Sequence, residues 1–307
     1  MVEKRQISIP TALTQVLGQR GALVVTRYEL AHLAWAIYKQ SSHDGTPLRN
    51  HKTQLDRAAF SRVEAKLVAN GVLQPIPGVP ENAAYVLVGA NISDARVLAC
   101  AIDPFCYVSH LSAMEFHGIT DRMPEQLYIS TPATAKWRSF AQDRMRRDLG
   151  EDYADYTRAG LPAVQRSAFT KLNNRPVHLF KSLHLGAYRS FKEQHLRVAT
   201  LGRTFLDMLR EPSLCGGLSH VLAMFKEYAA ANRRLILDEL DQHGAAIDKV
   251  RAGWVLEQVA GLTDSRIDAW AALAQRGGSR KLDASADYSS SFSERWALSI
   301  NTPVPTE

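Results

Sequence analysis

The side chains best placed to do chemistry are cations along one short segment near the amino end. Between Leu55 and Asn70, the residues Asp56, Phe60, Val63 and Leu67 recur at intervals of 4, 3 and 4, which puts them on one side of a helix. The other side carries Ala58, Ser61, Arg62, Ala65 and Lys66. Small residues permit close approach to a duplex, and cations reach phosphates or guanine edges. On this reading Ser61, Arg62 and Lys66 face the groove and Arg57 meets a phosphate. The polar stretch before the helix adds Arg49, His51 and Lys52. A second run, Lys136, Arg138, Arg144, Arg146 and Arg147, interleaves Trp137 and Phe140. That mixture suits a phosphate backbone with stacked bases, or else a solvated surface.

Groupings that resemble catalytic sites are weaker. Glu64-Ala65-Lys66 matches the E-x-K of some metal-dependent nucleases, but residues i and i+2 of a helix diverge. His110 and His117 fall about 10 Å apart along a helix, too far to share one metal ion. Arg203 and Asp207, spaced i,i+4, read as a structural ion pair. Ser109-His110 are sequence neighbours, which does not make a nucleophile–base pair. The chain has no GxSxG, Walker A or GxGxxG motif. No enzyme, cofactor or metal site is therefore expected.

The chain has 307 residues, with 37 Lys+Arg against 31 Asp+Glu for a net charge of +6. A hydrophobic share of 46% is that of a globular protein rather than a disordered one. Residues 1–90 hold 10 basic and 6 acidic residues, 91–199 hold 15 and 11, and 200–307 hold 12 and 14, so the positive excess lies in the first two thirds. This points weakly to polyanion partners. Three cysteines, at 100, 106 and 215, without a CxxC pair, suggest neither a disulfide scaffold nor a zinc ribbon, and favour a reducing compartment. No stretch has the roughly 18 apolar residues of a membrane span, and Met1–Gln6 lacks the apolar core of a signal peptide. A cytoplasmic protein without membrane contact is expected.

These residues need elements to hold them. The first 90 residues predict helices over Thr11–Gly18 and from a Thr26/Glu29 capping box through Tyr38. The helix at 55–70 follows, and then strands at 72–74 and 84–88. Helix, short strand, helix, helix and a two-stranded wing is the layout of a winged helix-turn-helix, whose last helix enters the major groove. Residues 91–199 predict helices over 93–101 and 110–117 and strands over 126–130, 177–181 and 196–199, with 133–175 unassigned. Helices are expected over 200–210, 217–231, 233–243, 247–260 and 264–275. A flexible tail over 276–307 ends in a late strand near Trp296–Ile300. The expected class is α+β: a winged helix-turn-helix over 1–90, then a larger mixed α/β domain over 91–307 that ends in a helical subdomain.

Further motifs carry a resemblance. Tyr107–Ala113, His117-Gly118-Ile119-Thr120-Asp121, Pro124 and Leu127–Pro132, followed by Arg197–Thr200, Arg203–Leu209 and Leu214–Gly217, resemble the AbiEi family. Trp296-Ala297-Leu298 also fits, so the likeness spans roughly 20–300. AbiEi proteins are the antitoxin and transcriptional-repressor halves of type IV abortive-infection toxin–antitoxin pairs. The resemblance implies an amino-terminal domain that binds inverted repeats in its own promoter as paired protomers. It also implies a carboxyl-terminal domain that opposes a nucleotidyltransferase-like toxin without necessarily forming a stable complex. Two features depart from it. The 40–54 stretch is longer than the usual turn between helices, and the wing tip Pro77–Asn82 has no cation. The alternatives are a metal-dependent nucleic-acid enzyme and a protein-interaction module whose winged domain does not bind DNA.

Overall fold

The computed structural model describes residues 6–49, 55–81, 83–192, 195–274 and 280–303. In chain order the elements are α1 (Ile9–Gln19), β1 (Val24–Thr26), α2 (Arg27–Gln40), β2 (Ser42–His43), β3 (Thr46–Pro47), α3 (Arg57–Ala69), β4 (Leu73–Pro75), β5 (Ala84–Leu87) and α4 (Ala95–Ile102). Then come β6 (Tyr107–Val108), α5 (His110–Phe116), β7 (Leu127–Pro132), α6 (Thr134–Leu149), α7 (Tyr153–Arg158), β8 (Lys171–Leu172), β9 (Arg175–Ser182), β10 (Tyr188–Phe191) and β11 (Leu196–Ala199). The chain closes with α8 (Leu201–Arg210), α9 (Leu218–His243), α10 (Ala246–Trp254), α11 (Ser265–Ala271), β12 (Phe292–Ser293) and β13 (Leu298–Ser299). The protein is mixed α/β with a helical carboxyl-terminal region. No helix among the described residues is long and apolar enough to cross a membrane.

The chain divides into two compact units. The first comprises Met1–Cys106, Thr131–Val177 and Lys181–Leu183, so the boundary expected at residue 90 falls inside it. Its sheet has the order β1-β5-β4, antiparallel throughout, with Val25 opposite Tyr85 and Leu73 opposite Leu87. Capping sets the helix starts. Ser8 accepts a bond from the Thr11 amide, and Thr26 and Glu29 complete a capping box. Asp56, expected on the apolar side of α3, is an exposed N-cap accepting from the Ala59 amide at 2.7 Å. A cap residue precedes the helix, so helical periodicity does not govern it.

The polar stretch after α2 is a small hairpin. Ser42 pairs with Pro47 and His43 with Thr46 across Asp44-Gly45, both at positive φ. That dipeptide favours a two-residue primed turn. His51 and Lys52 lie outside the described residues.

The core of this unit joins Leu13, Leu30, Phe60, Leu67 and Tyr85 to Met145, Leu149 and Tyr156. Much of the unassigned 133–175 region is thus helix. In α6, Trp137, Ala141, Met145 and Leu149 are buried at intervals of four, a stripe obscured by the surrounding charge.

The second unit comprises Tyr107–Ser130, His178–Phe180 and His184–Glu307. Within it β10 pairs antiparallel with β11, β11 parallel with β6, and β6 antiparallel with β7. β10 has no counterpart in the sequence-based expectation. The two segments expected at 217–231 and 233–243 form one 26-residue helix, α9. Asn232 does not break it, because its modest propensity cost is outweighed by packing on both sides; its amide bonds back to the Tyr228 carbonyl. The expected 247–260 helix is α10 followed by a π turn at Val255–Val259.

The described part of the expected flexible tail is tied down. Ser289 and Ile300 donate backbone bonds to Ser299 Oγ and the Ser291 carbonyl, and β12 pairs with β13. Trp296 is fully buried and donates to Glu257 at 2.6 Å. A Cβ on Gly253 would sit 2.1 Å from its ring. Gly253→Ala is therefore expected to destabilise the protein by about 1–3 kcal/mol through overpacking, read as a lower denaturation midpoint. An unchanged midpoint would show that the Trp296 ring shifts freely.

Candidate nucleic-acid interface

Helix α3 is held by a half-buried ion pair that sequence reasoning missed. Glu64 is only 5% exposed. Arg27, at the start of α2, donates Nε to both its carboxylate oxygens at 2.9 and 3.1 Å, and a terminal nitrogen at 2.9 Å. The Tyr85 hydroxyl of β5 donates to the same carboxylate at 3.0 Å. Burial, with the Glu64 charge, raises the Tyr85 pKa, so the phenol stays protonated as the donor. The guanidinium also lies 5.8 Å from the centre of the Phe60 ring.

This bidentate pair fixes α3 to two neighbouring elements. The buried stripe is Phe60, Glu64 and Leu67, while Val63 is half-buried. A carboxylate at intervals of 4 and 3 between Phe60 and Leu67 was the available signal. Glu64 and Lys66 lie on different faces, one buried and the other exposed.

The opposite arc is open. Arg57, Arg62 and Lys66 are exposed, Ser61 is half-buried, and none of the three cations forms an ion pair with a described residue. At about 100° per residue, Ala58, Ala65 and Ala69 form the centre of this arc. Arg57 and Ser61 flank it on one side and Arg62 and Lys66 on the other. A cylinder with a low centre and cationic edges has the relief of a groove-binding helix. Arg49 is also exposed; its backbone amide bonds to the Ile7 carbonyl.

The β4–β5 connection turns away from such a role. Gly78 has φ +82°, and a Cβ there would stand 2.4 Å from the Lys171 carbonyl oxygen. This tip is packed against backbone, and Ile76 beside it is buried.

The second basic run follows α6. Lys136, Arg138, Arg146 and Arg147 are exposed. Arg144 is engaged instead, bonding Glu29 at 2.7 Å and Asp148 at 3.4 Å, with its guanidinium 5.7 Å from the Tyr28 ring centre. Trp137 is not free to stack on bases. It is buried and donates to Asp103 at 3.1 Å, with Phe105 edge-on at 5.3 Å. Phe140 is half-buried under the Lys136 ammonium.

In the second unit, residues of the motifs at 107–130 and 197–217 include several buried polar side chains. The Ser109 hydroxyl does not cap α5; it bonds His110 Nδ1 at 2.8 Å and accepts from Ser130 at 2.8 Å. His110, at φ +50°, is 1% exposed and meets the Phe180 ring edge-on. His117 Nε2 is 2.7 Å from the Ala199 carbonyl. Arg203 bonds Asp207 at 2.7 Å, both buried, and the carbonyl of the exposed His184 at 2.9 Å. No group of three or more His, Cys, Asp or Glu that could hold a metal ion occurs among the described residues.

Burial lowers the pKa of His110 and His117 from the ordinary 6.5. On acidification the unfolded chain takes up these protons first. Their contribution is present above about pH 6.5 and is lost below it, by up to about 1.4 kcal/mol per pH unit for each histidine. Burial raises Glu211 and Glu239, which act in the opposite sense from 4.5 upward. Urea midpoints measured between pH 7.5 and 5.5 are expected to fall less steeply in His117→Gln than in the parent. An identical slope would remove His117 from the account.

No family model matches the chain, and no curated protein matches it. One similar solved structure is the RV2827C protein from Mycobacterium tuberculosis. It is 14% identical over 96% of this chain and 92% of that one, with a TM-score of 0.47. That likeness is too distant to carry fold or function across.

Proposed function

We propose that the chain is a DNA-binding autorepressor and antitoxin of the AbiEi type, with its amino-terminal elements acting as a winged helix-turn-helix. One observation carries the DNA reading: Arg57, Arg62 and Lys66 stand in the open, without carboxylate partners among the described residues, on a helix clamped by Glu64, Arg27 and Tyr85. Exposed cations that no intramolecular ion pair satisfies are free to replace the counterions of DNA. The packed, cation-free tip at Gly78 leaves recognition to α3 rather than to the wing. Paired protomers on an inverted repeat would place half-sites a whole number of turns apart, about 34–36 Å for one turn.

The salt dependence of binding to upstream DNA tests this surface. Lys66→Ala is expected to weaken binding on every sequence and to reduce the slope of log K against log salt by about one. Parent-like affinity and slope would dismiss Lys66 as a phosphate contact. The antitoxin half, and opposition to a nucleotidyltransferase-like toxin, rests on the resemblance in residues 107–132 and 197–217. Growth rescue on co-expression of the full chain with such a toxin tests it.

A further inference from the structure

A cavity with pronounced ligand chemistry lies wholly within the first unit, beside the amino ends of α2 and α3. Its volume is about 240 Å³, against the ~10–15 Å³ that one water needs. Arg27, Arg57 and Arg144 line it together with Ile102, Pro104 and Leu161, and no carboxylate side chain does. Two of the guanidiniums are held by ion pairs. Arg27 gives Nε and one terminal nitrogen to Glu64, and Arg144 gives Nε and one terminal nitrogen to Asp148 and Glu29. The remaining terminal nitrogen of each takes no part in those bonds. Arg57 has no ion-pair partner among the described residues, and its backbone amide is held on the Ala159 carbonyl at 3.2 Å. Immobilised guanidiniums lose little entropy on binding an oxyanion and can engage two of its oxygens at once.

The geometry points to a binding site for a small phosphorylated organic molecule, with its phosphoryl oxygens on the three guanidiniums and its body against the apolar wall. Arg57 supplies the uncompensated charge, and the unused nitrogens of Arg27 and Arg144, whose charges Glu64, Glu29 and Asp148 balance, supply further donors, a set that suits the several oxygens of a phosphoryl group better than the two of a carboxylate. Arg57 also belongs to the cationic edge of α3, so a ligand that engages it removes one contact from DNA. Ligand and DNA then weaken each other by the same factor. This coupling rests on the DNA reading of α3; the site itself does not.

Thermal melts of the full chain test the site. The probes are 5′-AMP and glucose 6-phosphate, compared with adenosine, glucose and inorganic phosphate. At about ten times its Kd, a phosphorylated probe is expected to raise Tm by about 2–4 °C, and the unphosphorylated parents to leave it unchanged. Arg57→Gln should shrink the shift and Ala163→Phe, which fills the cavity, should abolish it; Lys66→Gln, elsewhere on α3, should retain it. The site is overturned by no shift with either phosphorylated probe, or by equal shifts in the parent, Arg57→Gln and Ala163→Phe. An equal shift with inorganic phosphate overturns the role of the apolar wall.

Mobility shifts on upstream DNA separate the two claims. If the parent binds DNA, the probe that raises Tm should weaken binding several-fold, and unchanged affinity overturns the coupling. If the parent does not bind DNA, the reading of α3 falls while the melts still decide the site.

Discussion

Asp207→Ala is expected to lower the stability of the protein by about 3–5 kcal/mol, because it strands a buried cation. Arg203 is 3% exposed, and its Nε bonds Asp207 at 2.7 Å. Once Asp207 is removed, the carboxylate left beside Arg203 among the described residues is Glu239 at 4.0 Å, with the His184 carbonyl as a further acceptor. Neither restores the lost charge-assisted bond, and burial already raises the Glu239 pKa, which disfavours its charged form. Urea denaturation checks the loss. The double variant Arg203→Met, Asp207→Leu removes both charges and is expected to be more stable than Asp207→Ala. If the single variant is the more stable, the pair is not what holds α8 in place.

Arg62→Glu is expected to reduce affinity for upstream DNA on the order of 100-fold. Loss of one base contact costs about 1–3 kcal/mol, and a reversed charge adds repulsion from neighbouring phosphates. If Arg62 reads a base, sequence preference should relax as well. Arg62 is exposed and forms no ion pair with a described residue, so its melting temperature should stay near the parent's. A mobility-shift titration at fixed salt measures the effect, and normal binding by a folded variant means that α3 presents some other face to DNA. The two variants separate fold from function: Asp207→Ala acts on a core, whereas Arg62→Glu acts on a surface.

Much of the local structure was legible from residue types. Thr26 and Glu29 marked the start of α2 because a capping box is a contact within four residues. The helices expected over 200–210 and 93–101 are α8 and α4, with Thr200 and Asp94 capping their starts from just outside. The open side of α3 was legible too, since Arg62 and Lys66 fall opposite Phe60 and Leu67 on any helix. Asp44-Gly45 read as a helix breaker but not as the turn of a hairpin, and the 137–141–145–149 stripe was overlooked. Local composition, whether polar or basic, hid the first and the second alike.

By itself the sequence determined where several helices begin, which side of α3 turns inward, and where positive charge accumulates, because those properties depend on neighbours within a turn or two. Only the tertiary structure decided what each charge is for. Arg27 and Glu64 are 37 residues apart and Arg144 and Glu29 are 115 apart. Trp137 gives its proton to Asp103, 34 residues earlier. An ion pair or hydrogen bond forms only when folding brings its partners within about 3 Å of each other. Folding therefore left Arg62 and Lys66 open while it engaged Arg144 and sealed Trp137.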